Sequence, residues 1–496
     1  MANAWSFRTG LVRIGFSVGL GVLLLAQAPP LPAQFKLPSI KMPGKKKKPE
    51  AKKVAPPAPW VVKPEWVSAH EEFLAGDALN GRGSATRDEE LAANYVVSKF
   101  TGYGLIPAPG SPGYIQKIDV VAPTLDGKAT LGAGGVLLVE GDDMQLLFSP
   151  GLTVIGALQR IPASEVDHAT VKKDSVVLVT NIPKDASPAA IFSKLQKLGV
   201  GLVLVQKSDA TQKYFDRDGD KTRVPITLKE DADVAHGATF AAISEAASKG
   251  LDTVREGDIV TLTVHAEVKP RQTYNAVGFL AGTDPASGTI LLTAHLDHLG
   301  VGAPVNGDSI YNGANDDASG TTAVLELAHA LAAGPKLKRS ILFVCYGSEE
   351  IGELGSEYFG KHPPVPLKDI VANLEFEMIG NQDPKMPPNT LLLTGWDRSN
   401  LGSTLKEHGA KLGPDPYPEQ HFFERSDNYQ LALEGVVAHT AAGWGVPPTY
   451  HQPDDDLAHL DINFMTAAIQ SLIDPLSWLA TNDFRPAWFP GQQPKR

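Results

Sequence analysis

Residues 289–300 read TILLTAHLDHLG, an apolar run that ends in a histidine and an aspartate. The run from Thr289 to Leu292 is typical of a buried strand, and His295 and Asp297 follow where this strand should end. Side chains two residues apart on extended backbone point the same way, so both should face one place. Because burying unpaired ions is very costly, this strand end indicates a compensating charge close by.

The same arrangement recurs further along the chain. Carboxylates and histidines close other apolar stretches: Asp316 and Asp317 in YNGANDDASG, Glu349 and Glu350 in VCYGSEE, Glu377 in NLEFEMIG, and His451 in TYHQPDDD. The set offers two histidines and three carboxylates to metals, with one glutamate to spare. Such nitrogen and oxygen ligands suit zinc, with manganese or cobalt as alternatives. Two metals sharing a carboxylate would lie about 3.5–4 Å apart and hold a hydroxide between them.

Individual positions in this set suit different roles. A carboxylate has two oxygens and can bridge two metals, and Asp316 is the candidate. Of the neighbours Glu349 and Glu350, one can ligate a metal while the other stays free as a general base with a raised pKa. Asp297 can accept the second ring N–H of His295 and so fix its tautomer.

Two residues near these positions have simpler interpretations. The Asp316-Asp317 pair precedes an apolar helix, where acidic residues suit the helix dipole, and this explains one aspartate without a metal. His298 has no matching role and is interpreted as structural.

From Thr273 to about Leu479 strand and helix patterns alternate. The predicted elements are strands at 289–294, 340–346, 370–377, 390–394 and 436–440 and helices at 319–333, 399–411 and 463–479. Alternation of this kind predicts an α/β fold with a mostly parallel sheet between two layers of helices. Ligands in such sheets bind outside the carboxyl ends of the strands, which is where the acidic and histidine residues fall.

Length and composition bound the organisation of the chain. At 496 residues it is too long for one ordinary core, and its net charge of -11 argues against nucleic acid as a partner. Cys345 is the single cysteine, so no intramolecular disulfide can form, and it is interpreted as a small buried apolar residue. The predicted divisions are a signal peptide at 1–33, a basic proline-rich linker at 34–62, the first part of the catalytic domain at 63–127, an insert at 128–266, the main catalytic domain at 267–485, and a tail at 486–496.

The first 33 residues have the pattern of a secretory signal peptide. Arg8 and Arg13 precede an apolar stretch at 14–25 that is short for a membrane span, and Ala26-Gln27-Ala28 is a small-x-small cleavage signal. We therefore expect a secreted or periplasmic protein with no membrane span after cleavage; the alternative is an uncleaved N-terminal anchor. The lysine-rich linker is a solvated spacer or, alternatively, a cationic tether.

The two regions before the main catalytic domain differ in their patterns of apolar residues. Apolar residues at helical spacing predict helices between Val67 and Gly104, with a break at residues 79–83. The sequence pattern of the insert predicts a β-rich α/β module with helices at 189–198 and 238–248. It contains no cluster of metal ligands.

Taken in order, these motifs resemble the secreted co-catalytic zinc aminopeptidases, relatives of glutamate carboxypeptidase and the transferrin receptor. The resemblance covers about 64 to 480 and rests on HLDHLG, GANDDASG, the Glu349-Glu350 pair, EMIG, Arg425-Ser426-Asp427 and YHQPDD. It implies a zinc exopeptidase of the phosphorylase/hydrolase-like fold. The insert resembles a protease-associated domain by its position and texture.

The resemblance also assigns roles to residues. It implies that Glu350 and His451 hold one zinc, that His295 and Glu377 hold the other, and that Asp316 bridges them. Asp297 would orient His295, Glu349 would be the general base, Tyr450 would polarise the scissile carbonyl, and the peptide bond before Asp317 would be cis. Glu377 stands where many relatives have aspartate, and Asn315 replaces a frequent acid; neither change removes a required ligand.

The function expected from the sequence is a secreted di-zinc aminopeptidase acting on peptides with a free N-terminus. One alternative is a glutamate- or dipeptide-directed carboxypeptidase of the same fold, which would need a basic residue such as Arg425 or Arg398 to grip a substrate carboxylate. Others are a non-catalytic, receptor-like binding protein and a one-zinc cyclase. The oligomeric state stays open.

Overall fold

The computed structural model describes residues 59–184, 186–218, 224–232 and 237–495. The predicted signal peptide and the predicted linker up to residue 58 lie outside the described residues. Within the described part of the chain, no helix combines the length and the apolar character needed to cross a membrane.

The described residues form ten α-helices and nineteen strands. The α-helices are α1 Pro64–Leu74, α2 Arg87–Gly102, α3 Pro188–Gln196, α4 Asp209–Asp218, α5 Glu245–Leu251, α6 Ser319–Ala333, α7 Leu354–Lys361, α8 Leu401–Glu407, α9 Asn428–Leu433 and α10 Ile462–Thr481. The strands are β1 Ile115–Leu125, β2 Thr130–Ala133, β3 Val136–Val139, β4 Met144–Phe148, β5 Thr153–Pro162, β6 Val176–Thr180, β7 Leu202–Gln206, β8 Thr227–Leu228, β9 Thr239–Ile243, β10 Ile259–Thr263, β11 Ala266–Leu280, β12 Thr289–His295, β13 Gly300–Val305, β14 Asp308–Tyr311, β15 Ser340–Tyr346, β16 Ile370–Glu377, β17 Leu391–Leu393, β18 Leu412–Pro414 and β19 Ala438–Ala442.

Nine strands form the catalytic-domain sheet in the order β18-β17-β19-β16-β12-β15-β11-β1-β8. The four central strands β19, β16, β12 and β15 are mutually parallel. Pairing is antiparallel between β11 and β15, between β1 and its two neighbours, and between β17 and β19. The sheet is therefore mixed, and the prediction of a mostly parallel sheet is correct for its centre and for the edge pair β17–β18. The sequence pattern did not reveal β1 or β11, which supply much of the antiparallel pairing.

Helices cover both faces of the central strands. Alternate residues of β12 enter different cores: Ile290 and Leu292 pack in the cluster that contains α6 and α10, and Leu291 packs in the cluster that contains α7 and α9. Every residue of β12 and β15 is buried. A strand covered on both faces is expected to be continuously apolar rather than alternating, which explains why these runs could be recognised from the sequence.

The two helices before β1 follow the sequence prediction. Helix α1 ends at Leu74 and α2 begins at Arg87, and the break between them contains Asn80 and Gly81 in left-handed backbone conformations. The side chain of Thr86 caps α2 by accepting a hydrogen bond from the amide of Asp88. The segment between the helices reaches the carboxyl ends of the central strands, as described below.

A second sheet of eight strands occupies the predicted insert, in the order β3-β2-β10-β5-β6-β7-β9-β4. The chain leaves and re-enters the catalytic domain through adjacent strand ends, because Leu125 of β1 pairs with Ala266 of β11. One short strand of the insert region, β8, pairs with β1 in the catalytic-domain sheet. The assignment of this insert to the protease-associated class stays a prediction.

The predicted helix at 238–248 is wrong in its first half. Residues 239–243 form the buried strand β9, which runs parallel to β7, and α5 begins only after Ser244. The side chain of Ser244 accepts a hydrogen bond from the amide of Ala247 and so caps α5. Pairing with β7 outweighed the helical tendency of an alanine-rich segment. Helix α8 is also shorter than the predicted 399–411.

Candidate metal centre

The predicted ligands lie at the carboxyl ends of the four central parallel strands. His295 is the last residue of β12 and Glu377 is the last residue of β16. Glu350 follows β15, and His451 lies in the loop after β19. Since these strands are adjacent and parallel, their ends bring together residues that are up to 156 positions apart, from His295 to His451.

Asp316 lies between two histidines. Its Oδ1 is 3.2 Å from Nε2 of His295, and its Oδ2 is 3.2 Å from Nε2 of His451. The same nitrogen of His451 is 3.2 Å from Oε2 of Glu350. Glu377 joins His295 and Asp316 in a group whose ligand atoms all lie within 4.8 Å of one another. Each oxygen of one carboxylate thus faces a different half of the site.

The potential ligand atoms are spaced for binding cations rather than for hydrogen bonding to one another. Neither His295 Nε2 nor His451 Nε2 has a hydrogen-bond partner among the described residues, although carboxylate oxygens are 3.2 Å away. A tetrahedral zinc ion with bonds of about 2.0–2.2 Å places neighbouring ligand atoms about 3.3 Å apart. The three separations of 3.2 Å match that spacing, and the donor set of imidazole and carboxylate is one that zinc accepts.

Glu349 lies beside this group and is not one of the five predicted ligands. Its carboxylate belongs to a group with His295 and Glu350 whose potential ligand atoms lie within 4.8 Å of one another. Burial raises the pKa of Glu349 well above its ordinary value and raises the pKa of Glu377 to about 7. A carboxyl group with a raised pKa at such a position can accept and return a proton.

Asp297 connects the histidine of β12 to the loop after β15. Its carboxylate accepts hydrogen bonds from the amides of Glu349 (3.0 Å) and Glu350 (3.4 Å) and from the hydroxyl of Ser84. Nδ1 of His295 lies 3.2 Å from the carbonyl oxygen of Asp297 and 3.8 Å from its carboxylate. Asp297 therefore orients the Glu349-Glu350 turn at least as directly as it orients His295.

Asp317 accepts hydrogen bonds from the surrounding backbone. Its carboxylate accepts hydrogen bonds from the amides of His295 (3.2 Å), Gly320 (2.9 Å) and Met378 (3.0 Å). It thereby joins β12, the start of α6 and the end of β16. The Asp316-Asp317 peptide bond is cis, as the resemblance implies.

Asp455 fastens the loop of His451 to the segment that carries Asp316. Its two carboxylate oxygens accept hydrogen bonds from the amides of Asn315 (2.9 Å) and Asp316 (3.0 Å). Its carbonyl oxygen accepts a third from the amide of Ala314 at 3.0 Å. These contacts hold together two ligands that come from different parts of the chain.

The sequence prediction missed the contribution of residues 81–86. The guanidinium of Arg82 is fully buried and donates to the carbonyl oxygens of Leu296 (2.9 Å), next to His295, and Gly313 (2.8 Å), three residues before Asp316. Ser84 donates to Asp297. The sequence contained only the turn signal of Asn80-Gly81 for this segment, and nothing in it pointed to the metal centre.

His298 also has a closer relation to the site than the sequence indicated. It is fully buried, and its Nδ1 lies 2.7 Å from Oε1 of Glu350. The prediction that it is merely structural therefore has to be reconsidered. The recurrence of histidine three residues after His295 was the available signal.

A small cavity opens beside Glu377. Tyr450, Phe422 and Arg425 line it together with apolar residues such as Leu392 and Ala442. The ring of Tyr450 stacks on that of His451 with 3.8 Å between the ring centroids. The structure thus places Arg425 at the cavity. Arg398 is not among the lining residues, and its guanidinium contacts Glu424 at 3.6 Å and the ring of Phe423.

Comparison with known proteins places this site in a recognised family. Residues 275–474 match the model of peptidase family M28. This region contains all five predicted ligands and Glu349, but neither α1, α2 nor the segment of Arg82. The insert sheet also precedes it.

Two curated relatives and one solved structure illustrate the similarity. Leupeptin-inactivating enzyme 1 of Streptomyces exfoliatus is 32% identical over 165 residues, which are 33% of this chain and 34% of that enzyme, so this alignment spans about a third of the relative's length. The probable lipoprotein aminopeptidase LpqL of Mycobacterium tuberculosis is 25% identical over 71% of this chain and 77% of its own. The structure of an aminopeptidase from Aneurinibacillus sp. strain AM-1 covers 88% of this chain and 98% of its own at 18% identity and a TM-score of 0.50, which supports the same fold.

Proposed function

We propose that this chain, whose residues 275–474 match the model of peptidase family M28, is a di-zinc aminopeptidase that removes N-terminal residues from peptides. The observation that carries the proposal is the position of Asp316, whose two carboxylate oxygens each lie 3.2 Å from a different histidine. A carboxylate placed in this way suits two cations rather than one. The names of LpqL and of the Aneurinibacillus structure, both aminopeptidases, agree with the proposed reaction.

The proposed ligand assignment follows the two halves of the site. His295 and Glu377 would hold one zinc, Glu350 and His451 would hold the other, and Asp316 would contact both. When bound, the two ions would acidify a water molecule and polarise the scissile carbonyl. Manganese or cobalt could occupy the same nitrogen and oxygen ligands.

The remaining residues would handle protons and orientation. Glu349 would take a proton from the attacking water and return it to the leaving amine, which its raised pKa permits. Asp297 would hold the turn of Glu349 through the two backbone amides. Tyr450, at the mouth of the cavity, would donate a hydrogen bond to the carbonyl oxygen of the substrate. The apolar walls at Leu392 and Ala442 would receive the side chain of the N-terminal residue.

We also propose that the protein is exported. The basic, apolar and small-residue segments of residues 1–33 support a cleaved signal peptide. Its cleavage would leave the catalytic domain in the periplasm or the medium, where peptides are available.

One observation favours a second candidate, a carboxypeptidase of the same fold. Arg425 lines the cavity beside Glu377, and its guanidinium lies over the ring of Phe422 at 5.2 Å. An arginine in this position could pair with a substrate carboxylate.

The decisive experiment compares free and N-acetylated aminoacyl anilides and N-blocked dipeptides as substrates of the purified protein. The assays would be run with added zinc and with a zinc chelator. An aminopeptidase cleaves only the free-amine anilides, and the chelator abolishes the cleavage. Cleavage of N-blocked dipeptides alone would favour the carboxypeptidase, and no cleavage by the zinc-loaded protein would contradict both.

A further inference from the structure

A buried histidine outside the proposed ligand set contacts one of its members. Nδ1 of His298 lies 2.7 Å from Oε1 of Glu350 and 4.0 Å from Oδ2 of Asp316. The three residues form a group whose potential ligand atoms lie within 4.8 Å of one another. His298 is therefore either a further ligand or a residue that acts on a ligand.

The distances separate these two roles. Ligand atoms that share a tetrahedral zinc lie about 3.3 Å apart, and the pairs that involve His295 and His451 lie at 3.2 Å. The pair between His298 and Glu350 is shorter by 0.5 Å, at 2.7 Å. That value belongs to a charge-assisted hydrogen bond, which spans about 2.7–2.9 Å. The geometry favours a hydrogen-bond donor over a ligand.

The imidazole of His298 is fixed in this position. Its backbone amide donates to the carbonyl oxygen of Arg82 at 3.1 Å. Its ring lies against Gly313, where an added Cβ would come within 2.4 Å of Cγ of His298. The rings of His298 and His451 meet edge to face, with 5.6 Å between their centroids. A ring placed by two ring contacts and a backbone hydrogen bond can fix the carboxylate that it contacts.

We propose that His298 is a positioning residue for the half of the metal centre formed by Glu350 and His451. Its Nδ1–H donates to Oε1 of Glu350, so that Oε2 stays directed toward Nε2 of His451, 3.2 Å away. The other half, formed by His295 and Glu377, has no such link to His298. The proposal rests on the two-metal site of the proposed function, and it assigns the effect of His298 to one metal of the two.

The test is the affinity of the two zinc ions in His298→Ala and His298→Asn, measured by competition with a chromogenic chelator and by metal content. In His298→Ala we expect one zinc to bind as in the wild type and the other to bind about 10–100-fold more weakly, the usual effect of losing a hydrogen bond to a ligand. In His298→Asn the side-chain amide can donate from near the Nδ1 position, so we expect most of the affinity to return. Chelator competition needs no substrate, so its result is independent of the peptidase assay.

His439 provides the matched control. It is buried in the same sheet, where Nδ1 contacts the carbonyl oxygen of Thr394 (2.8 Å) and Nε2 contacts the hydroxyl of Ser399 (2.7 Å). His439→Ala should leave both zinc affinities unchanged. If His298→Ala fails to fold, His298→Phe, which keeps a ring but cannot donate a hydrogen bond, takes its place and is compared with His439→Phe.

Three results would overturn the proposal. The first is that both zinc ions bind to His298→Ala as tightly as to the wild type, or that both bind more weakly to His298→Asn. The second is an Asn variant as weak as the Ala variant with an altered visible spectrum of the cobalt-loaded protein, which would make His298 a ligand. The third is a wild-type chain that binds a single zinc, which would also refute the two-metal part of the proposed function.

Discussion

Neighbouring carboxylates in this chain have different surroundings because the backbone turns between them. Asp316 faces two histidines, while Asp317 accepts three backbone amides. Glu350 lies against His451 and His298, while Glu349 lies in a group with His295 and Glu350. Ser348 before this pair is in a left-handed conformation at φ 58°, as is Met378 after Glu377 at φ 53°. Such conformations are sparsely populated for residues other than glycine and collect at functional sites.

At the residue scale, replacing Glu349 tests whether Glu349 acts as the general base while Glu350 is a ligand. Glu349→Gln keeps the size of the side chain but cannot accept a proton, so we expect kcat on a free-amine anilide to fall by about 10²–10⁴-fold. The zinc content should stay that of the wild type, because Glu349 lies outside the proposed ligands. Steady-state kinetics and metal analysis on the same preparation would measure both.

A partly exposed glutamate outside the site serves as the control for that substitution. Glu357 on α7 pairs with Lys361 at 2.8 Å on the surface, and Glu357→Gln should leave kcat unchanged. Undiminished turnover by Glu349→Gln would remove Glu349 from the mechanism.

The segment between α1 and α2 matters at the scale of elements. Arg82, at its end, donates to four carbonyl oxygens, those of Leu74, Leu296, Asn312 and Gly313. These bonds connect the end of α1 to the residue that follows His295 and to the segment that precedes Asp316. A buried guanidinium that satisfies four carbonyls fixes their relative positions, since leaving any of these groups unpaired would be costly.

Glu71 of α1 lies in the same buried region and should make stability depend on pH. Burial raises its pKa to about 8, with Arg82 opposing and Asp455 adding to the shift. Because this folded-state pKa lies above the ordinary 4.5, the group stabilises the fold fully below the unfolded pKa, and the contribution is lost as the pH rises toward and through about 8. Glu71→Gln cannot ionise, so its free energy of unfolding should fall less than that of the wild type between about pH 5 and about pH 9.

Urea unfolding of the zinc-saturated proteins at both pH values would measure this difference. Comparing the variant with the wild type removes the pH dependence of all other groups. Parallel changes in the two proteins would show that Glu71 is not protonated in the folded state.

At the scale of the whole molecule, the chain enters and leaves the insert at adjacent positions of the catalytic-domain sheet. Leu125 and Ala266 are partners across β1 and β11, and the amide of Asp126 donates to the carbonyl oxygen of His265 at 3.1 Å. The ends of the insert are therefore close enough for a short turn. On its surface, Asp231 pairs with Lys361 of α7 at 2.6 Å, a partly exposed contact of the kind that contributes about 0–1 kcal/mol.

A chain in which a short glycine-containing turn replaces residues 127–264 should therefore still fold around its metal centre. We expect zinc content and hydrolysis of small anilides close to those of the full chain, because none of the proposed ligands lies in the insert. Thermal unfolding should occur at a lower temperature, since removing β8 leaves β1 as an unpaired edge. Loss of zinc binding by the shortened chain would show instead that the insert is needed to form the site.

The sequence by itself determined the type of catalytic domain and the candidate ligands. Apolar runs such as 289–292 and 340–346 are buried on both faces, and polar residues at their ends were visible as local breaks in the pattern. Since parallel strands end at one edge of a sheet, local signals at four strand ends were enough to predict one site. The positions of His295, Glu350, Glu377 and His451 follow from that logic, whereas Asp316 lies in the segment directly before α6.

Only the tertiary structure decided the pairing of the outer strands and the partners of the buried polar residues. Ser84 meets Asp297 across 213 positions, and Arg82 meets the carbonyl oxygen of Leu296 across 214. His298 found its partner in Glu350, and residues 239–243 became a strand because β7 lay beside them. Such contacts leave no periodic pattern in the chain, because each depends on where distant segments come to lie once the core has packed.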